Sequence, residues 1–108
     1  MPHLIPLTRG ILSTIYTTPL PGAPLDGPGQ AWENAYAGEP FIRLLPPGVF
    51  PQIRDVVRTN FVDLAWRHDP RTGRWLLFSA EDNIVKGAAG QAIQCFNRMA
   101  GWPEETGL

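Results

Sequence analysis

Cysteine occurs once, as Cys95, and lysine once, as Lys86, in a chain of 108 residues. A single cysteine excludes an intramolecular disulfide and a cysteine-built metal motif, and such usage is what a cytoplasmic chain is expected to show. One lysine against eight arginines removes any general lysine surface and draws attention to Lys86. Neither sign of charge dominates: the net charge of −1 gives no electrostatic reason to expect nucleic acid or an anionic membrane as partner. No segment approaches the roughly 18 apolar residues that cross a bilayer, and Met1-Pro2-His3 opens no basic or apolar leader. A glycine-rich G-x-G-x-x-G loop is missing as well. What is present, 44% hydrophobic residues and four tryptophans, argues for a folded core. The length supports one modest domain and leaves no room for a second, complete cofactor domain.

Alternation places a strand over about Gly10 to Thr18, with Ile11, Ile15 and Thr17 on one side. Residues 19–29 carry four prolines and three glycines and are expected to form a loop. Pro28 then suits the start of a short helix through Tyr36, closed by Gly38. Phe41 to Leu45 reads as a short strand stopped by Pro46-Pro47-Gly48, after which Val49 to Arg54 leads to a further extended segment. Residues 60–67 and 74–79 flank Asp69-Pro70-Arg71-Thr72-Gly73, whose turn chemistry predicts a wide hairpin. A helix is predicted from about Asp82 to Ala100, with Ser79 and Asp82 spaced like a capping box and Gly101 and Pro103 as the stop. Ile84, Ala88, Ala92, Ile93, Phe96 and Ala100 share one face of it, which is expected to be buried. The order of elements gives an α+β fold: a mixed, largely antiparallel sheet, helices on one face and a long C-terminal helix.

Residues 82–94, Asp-Asn-Ile-Val-Lys-Gly-Ala-Ala-Gly-Gln-Ala-Ile-Gln, and residues 101–108, Gly-Trp-Pro-Glu-Glu-Thr-Gly-Leu, resemble the C-terminal end of N-acetyl-gamma-glutamyl-phosphate reductases. So does the opening from Pro2 to Leu12, while Tyr36 to Arg43 and Thr59-Asn60-Phe61 fall in the family's order. The resemblance implies a fold like the C-terminal domain of glyceraldehyde-phosphate and semialdehyde dehydrogenases, with residues 1–81 a partial substrate-binding and dimerisation domain and residues 82–108 a C-terminal helix and tail that would dock on the absent Rossmann domain. It also implies NADPH-dependent reductive dephosphorylation of N-acetyl-gamma-glutamyl phosphate to the semialdehyde, in arginine biosynthesis. In that chemistry a cysteine thiolate attacks the acyl phosphate, phosphate leaves, and hydride reduces the thioester with help from a histidine. The Pro-Gly-Cys and histidine-proline-glutamate segments of that machinery have no match in this chain. No catalytic residue and no metal ligand is therefore assigned, and the isolated chain is expected to be inactive. Implied partners are a small-molecule acyl phosphate, the Rossmann domain or partner chain that would hold most of the NADP site, and a second copy associating through the sheet. A carrier-protein-linked aminoadipyl-phosphate reductase of lysine biosynthesis, or a dimerisation module without chemistry, would share the same features.

By the resemblance Arg9 is the substrate's anion-binding arginine, and a guanidinium does suit paired hydrogen bonds to phosphate or carboxylate; the plain alternative is a surface ion pair. Asn83, Lys86 and Gly87 are the cofactor-facing candidates. Against them stand helix capping for Asn83 and an exposed, snorkelling stem for Lys86. Gly87 and Gly90 each cost about 1 kcal/mol against alanine inside a helix, so something is expected to come close, here the absent Rossmann domain. His3 is expected to be structural or exposed, Cys95 inert, and Trp66, Trp75 and Phe78 core or interface.

Overall fold

The computed structural model describes residues 6–108. Its elements are β1 (Ile11–Thr17), α1 (Gly27–Tyr36), β2 (Ile42–Leu44), α2 (Ile53–Val56), β3 (Val62–Asp69), β4 (Arg74–Glu81), a π-helical segment (Val85–Ala89) and α3 (Gly90–Met99). The four strands form one sheet in the order β1-β4-β3-β2. β4 is antiparallel to both neighbours and β2 runs parallel to β3, so the sheet is mixed and largely antiparallel, as expected.

The β3–β4 hairpin forms where the turn residues predict it. Asp69 closes it by accepting hydrogen bonds from the Arg71 amide (3.0 Å) and the Thr72 hydroxyl (2.6 Å). Alternation along the strands divides the sheet into two faces. Trp66, Trp75 and Leu77 lie on one, where α1 covers them, and its glycines are what let it approach. A Cβ at Gly29 would stand 2.9 Å from the Trp66 indole nitrogen, and one at Gly27 would stand 3.0 Å from the Trp75 ring. Pro28, buried in the first turn, starts α1, and Gly38 (φ +82°) turns the chain out of it. Ala65, Phe78 and Ala80 lie on the other face, under the segment that leads into α2. Phe50 packs edge-on against Phe78 at 5.0 Å, and Val56 is fully buried.

Three local expectations need correction. The segment entering α2 is not simply extended: a helical turn over Ile53–Val56 is needed to bring Val56 into the core. Ser79 is no helix cap, because β4 runs through it to Glu81, with Ser79 opposite Ser13 and Leu64. The last helix begins later than Asp82, and its first five residues wind more widely. Amides five residues on reach the carbonyls of Asp82 (from Gly87, 2.8 Å) and Ile84 (from Ala89, 2.9 Å).

Candidate functional site

The carboxylate of Asp82, fully buried just past the end of β4, gathers four groups from three parts of the chain. Its Oδ1 accepts the amides of Ile84 (2.7 Å) and Val85 (2.8 Å), which sets the start of the helical path. Its Oδ2 accepts the Arg58 amide at 2.6 Å, tying in the loop before β3. Arg9 lies side-on against the same group, Nε 3.2 Å from Oδ2 and one terminal nitrogen 3.4 Å from Oδ1. Burial pushes this carboxyl's pKa up, but the Arg58, Val85 and Ile84 amides and the Arg9 cation outweigh it and hold the group below the usual aspartate value. Beside it, Asn83 Oδ1 accepts the Gly10 amide at 2.8 Å, so the start of β1 is tied to the residue after Asp82.

A second polar cluster lies between the helical path and the sheet. Gln94 Oε1 accepts from Lys86 Nζ (2.8 Å) and from Asn60 Nδ2 (3.0 Å), and Gln94 Nε2 donates to Glu104 (2.7 Å). Asn97 donates to the Glu104 and Thr106 carbonyls, latching the tail onto α3. Burial lowers the Lys86 pKa below that of a free lysine, partly offset by Glu81 and Glu104.

The pattern of the family described as "Semialdehyde dehydrogenase, dimerisation domain" matches residues 1–83. The chain belongs to that family. Among curated relatives, a protein named N-acetyl-gamma-glutamyl-phosphate reductase from Akkermansia muciniphila is 51% identical over 107 residues, and one of the same name from Desulforudis audaxviator is 50% identical. Each alignment covers 99% of this chain and 31% of the relative, so the chain spans about a third of the length of the curated relatives it matches. Among solved structures, aspartate semialdehyde dehydrogenase II from Vibrio cholerae superposes with a TM-score of 0.67 at 24% identity, over 90% of this chain and 29% of that one. The α+β fold is therefore shared with semialdehyde dehydrogenases.

Within this semialdehyde dehydrogenase domain the structure brings Arg9, Asn83 and Gly87 together around Asp82. A Cβ at Gly87 would stand 3.3 Å from the Asp82 carbonyl. Lys86 goes elsewhere, to Gln94 and to the Phe41 ring 5.7 Å away, so it does not border the Arg9 group. The capping alternative for Asn83 is also not what is found, because its carbonyl serves β1 and Asp82 holds the helix start. Gly90 is explained inside the chain: an added Cβ would collide with Asn60 Oδ1, and would stand 2.8 Å from the Val85 carbonyl. The apolar face of α3 is not buried within this chain. Ile84, Ile93 and Phe96 are exposed, and the buried residues of α3 are Gly90, Gln94 and Asn97. Cys95 is exposed on α3 and its sulfur takes a contact from Gln91. His3 lies outside the described residues. Sequence reasoning missed Asp82, Asn60 and Gln94. The available signal was an aspartate between a strand end and a helix start, read as part of a capping box with the wrong partner.

No helix of the described residues is long and apolar enough to cross a membrane, and no group of three or more potential metal ligands occurs among them.

Proposed function

We propose that this chain is the substrate-anion-binding and dimerisation part of an N-acetyl-gamma-glutamyl-phosphate reductase, working in arginine biosynthesis. The supporting observation is the Arg9–Asp82 pair. Asp82 lies along one edge of the guanidinium, where one terminal nitrogen donates to it and Nε stands at ion-pair distance without a hydrogen bond, and the Arg9 side chain keeps 27% of its surface exposed. A guanidinium has two terminal nitrogens, so an end-on fork remains for an oxyanion of the substrate. The names and identities of the relatives support the choice of reaction.

In this reading Arg9 holds an anionic group of the acyl phosphate while a thiolate from another part of the enzyme attacks. Cys95 is not that thiolate in this reading: it is exposed within α3, and its sulfur takes a contact from Gln91. Asn83 and Gly87 border the Arg9 group and fit the reacting end of a nicotinamide cofactor placed beside the substrate. Lys86, held by Gln94, does not fit that role. NADPH would supply the hydride, with most of its site on a Rossmann domain. The exposed stripe of Ile93, Phe96 and Met99 on α3 is the face that would dock there.

The test is a fusion of this chain behind the cysteine-bearing and nucleotide-binding portion of the Akkermansia muciniphila relative. The fusion is expected to run the phosphate-dependent reverse reaction with NADP and the semialdehyde, whereas the chain alone is inactive. Turnover by the chain alone, or a folded fusion that binds NADPH and turns over nothing, would contradict the reading.

A further inference from the structure

The pair that supports the anion site also weakens it. Arg9 and Asp82 together are neutral, so an incoming dianion meets hydrogen-bond donors but little net attraction. A second arginine adjoins the pair through its backbone. Arg58 reaches the same Asp82 oxygen as Arg9, through its backbone amide at 2.6 Å, while its own side chain is exposed. Among the described residues no carboxylate lies within ion-pair distance of the Arg58 guanidinium.

The backbone singles out the same residue. Arg58 has φ +65°, the one positive value at a non-glycine position among the described residues. A side chain is disfavoured there, and glycine would let the amide meet Asp82 without that strain. An arginine at a strained position, with its backbone on the carboxylate that orients Arg9 and its head group unspent, points to function more than to packing.

We propose that Arg58 is the second anion contact of the Arg9 site, supplying the uncompensated positive charge that lets it take a phosphoryl dianion. Asp82 is then a positioning residue. It fixes Arg9 side-on and Arg58 through the backbone, so that the two guanidiniums address one ligand. This rests on the reading of Arg9 given above.

Inorganic phosphate, titrated into the purified chain at constant ionic strength, is the probe. The arginine Nε–Hε signals are followed by 15N NMR. In the unsubstituted chain, phosphate is expected to shift the Arg9 signal. R58G is expected to weaken phosphate binding at least tenfold while leaving the phosphate-free Arg9 signal in place, since the Asp82 pair is untouched and the backbone is relaxed. R9Q is expected to weaken binding to a similar degree. R58G binding within twofold of the parent overturns the role of Arg58 and leaves Arg9 standing, provided R9Q binds weakly. R9Q binding at the parent level overturns the Arg9 reading itself. Absence of a phosphate-dependent shift in the parent overturns both.

Discussion

Asp82 is wholly enclosed, yet every group facing its carboxylate is a donor: three amides and a guanidinium. Replacing it with asparagine keeps the shape but turns one acceptor into a donor opposed to the Arg58 amide, and leaves Arg9 without its counter-ion. A cost of about 3 kcal/mol is expected, the lower end for breaking a buried pair, because Arg9 is partly wet. The pH dependence follows from the direction of the shift. The folded pKa lies below the unfolded 3.8, so the carboxylate's stabilisation is complete above 3.8 and is lost as pH falls through the folded value. Urea midpoints between pH 2 and 6 should therefore drop at the acid end in the parent and drop less in D82N; equal slopes would refute the assignment. The partly exposed Asp69, lowered by the Thr72 hydroxyl and the Arg71 amide, acts in the same window and is common to both proteins. Gly90→Ala tests packing separately. Asn60 Oδ1 and the Val85 carbonyl leave a methyl no room, so a loss of about 1–3 kcal/mol is expected by urea denaturation.

Elements differ in how far their sequence foretold them. The β3–β4 hairpin was legible because its signal is local: alternating strands around a turn whose Asp69 supplies its own hydrogen bonds. α1 was legible from Pro28 and Gly38, though not the reason for Gly27 and Gly29, which are small because tryptophans from two distant strands press on them. α3 is the instructive failure. Its periodic apolar stripe is the face that the sequence pattern points inward, whereas the face this chain covers is polar: Gln94 is bonded to Lys86, Asn60 and Glu104, and Asn97 to two tail carbonyls. Periodicity reports that two faces differ, not which one the chain itself covers. Two changes follow. Ile93→Ser with Phe96→Ser should leave the thermal midpoint of the isolated chain within a few degrees while lowering its binding of a hydrophobic dye; a collapse of the midpoint would mean that the stripe is core. Asn97→Ala should cost about 2 kcal/mol by leaving the Glu104 and Thr106 carbonyls without their donor, visible as faster hydrogen exchange in the tail.

The molecule as a whole is a slab of 45 × 35 × 20 Å with a radius of gyration of 15.3 Å. A compact chain of this length would have a radius near 13 Å. Few large side chains are fully enclosed, and Tyr16, Leu20, Phe96, Met99 and Trp102 are all exposed. A surface this apolar suits an assembling domain. Light scattering at about 100 µM is therefore expected to give at least twice the 12.0 kDa of one chain. A monomer at that concentration would argue against association through this domain.

Local chemistry written into consecutive residues was determined by the sequence alone: the hairpin turn, the proline and glycine boundaries, the α+β order, and the motifs that carry the family resemblance. Contacts between distant residues were decided only in three dimensions. Arg9 and Asp82 are 73 positions apart, and nothing in either segment announces the other. The same holds for Asn60 beneath Gly90 and for the polar face that α3 turns inward. Most such groups become partners because buried polar atoms find hydrogen bonds wherever the fold places them, as Asn60 Nδ2 does with Gln94 and the Arg58 amide with Asp82, while Arg9 Nε and Asn60 Oδ1 are left without one. That is why the candidate site appeared in the sequence as separate residues and in the structure as one carboxylate with its donors.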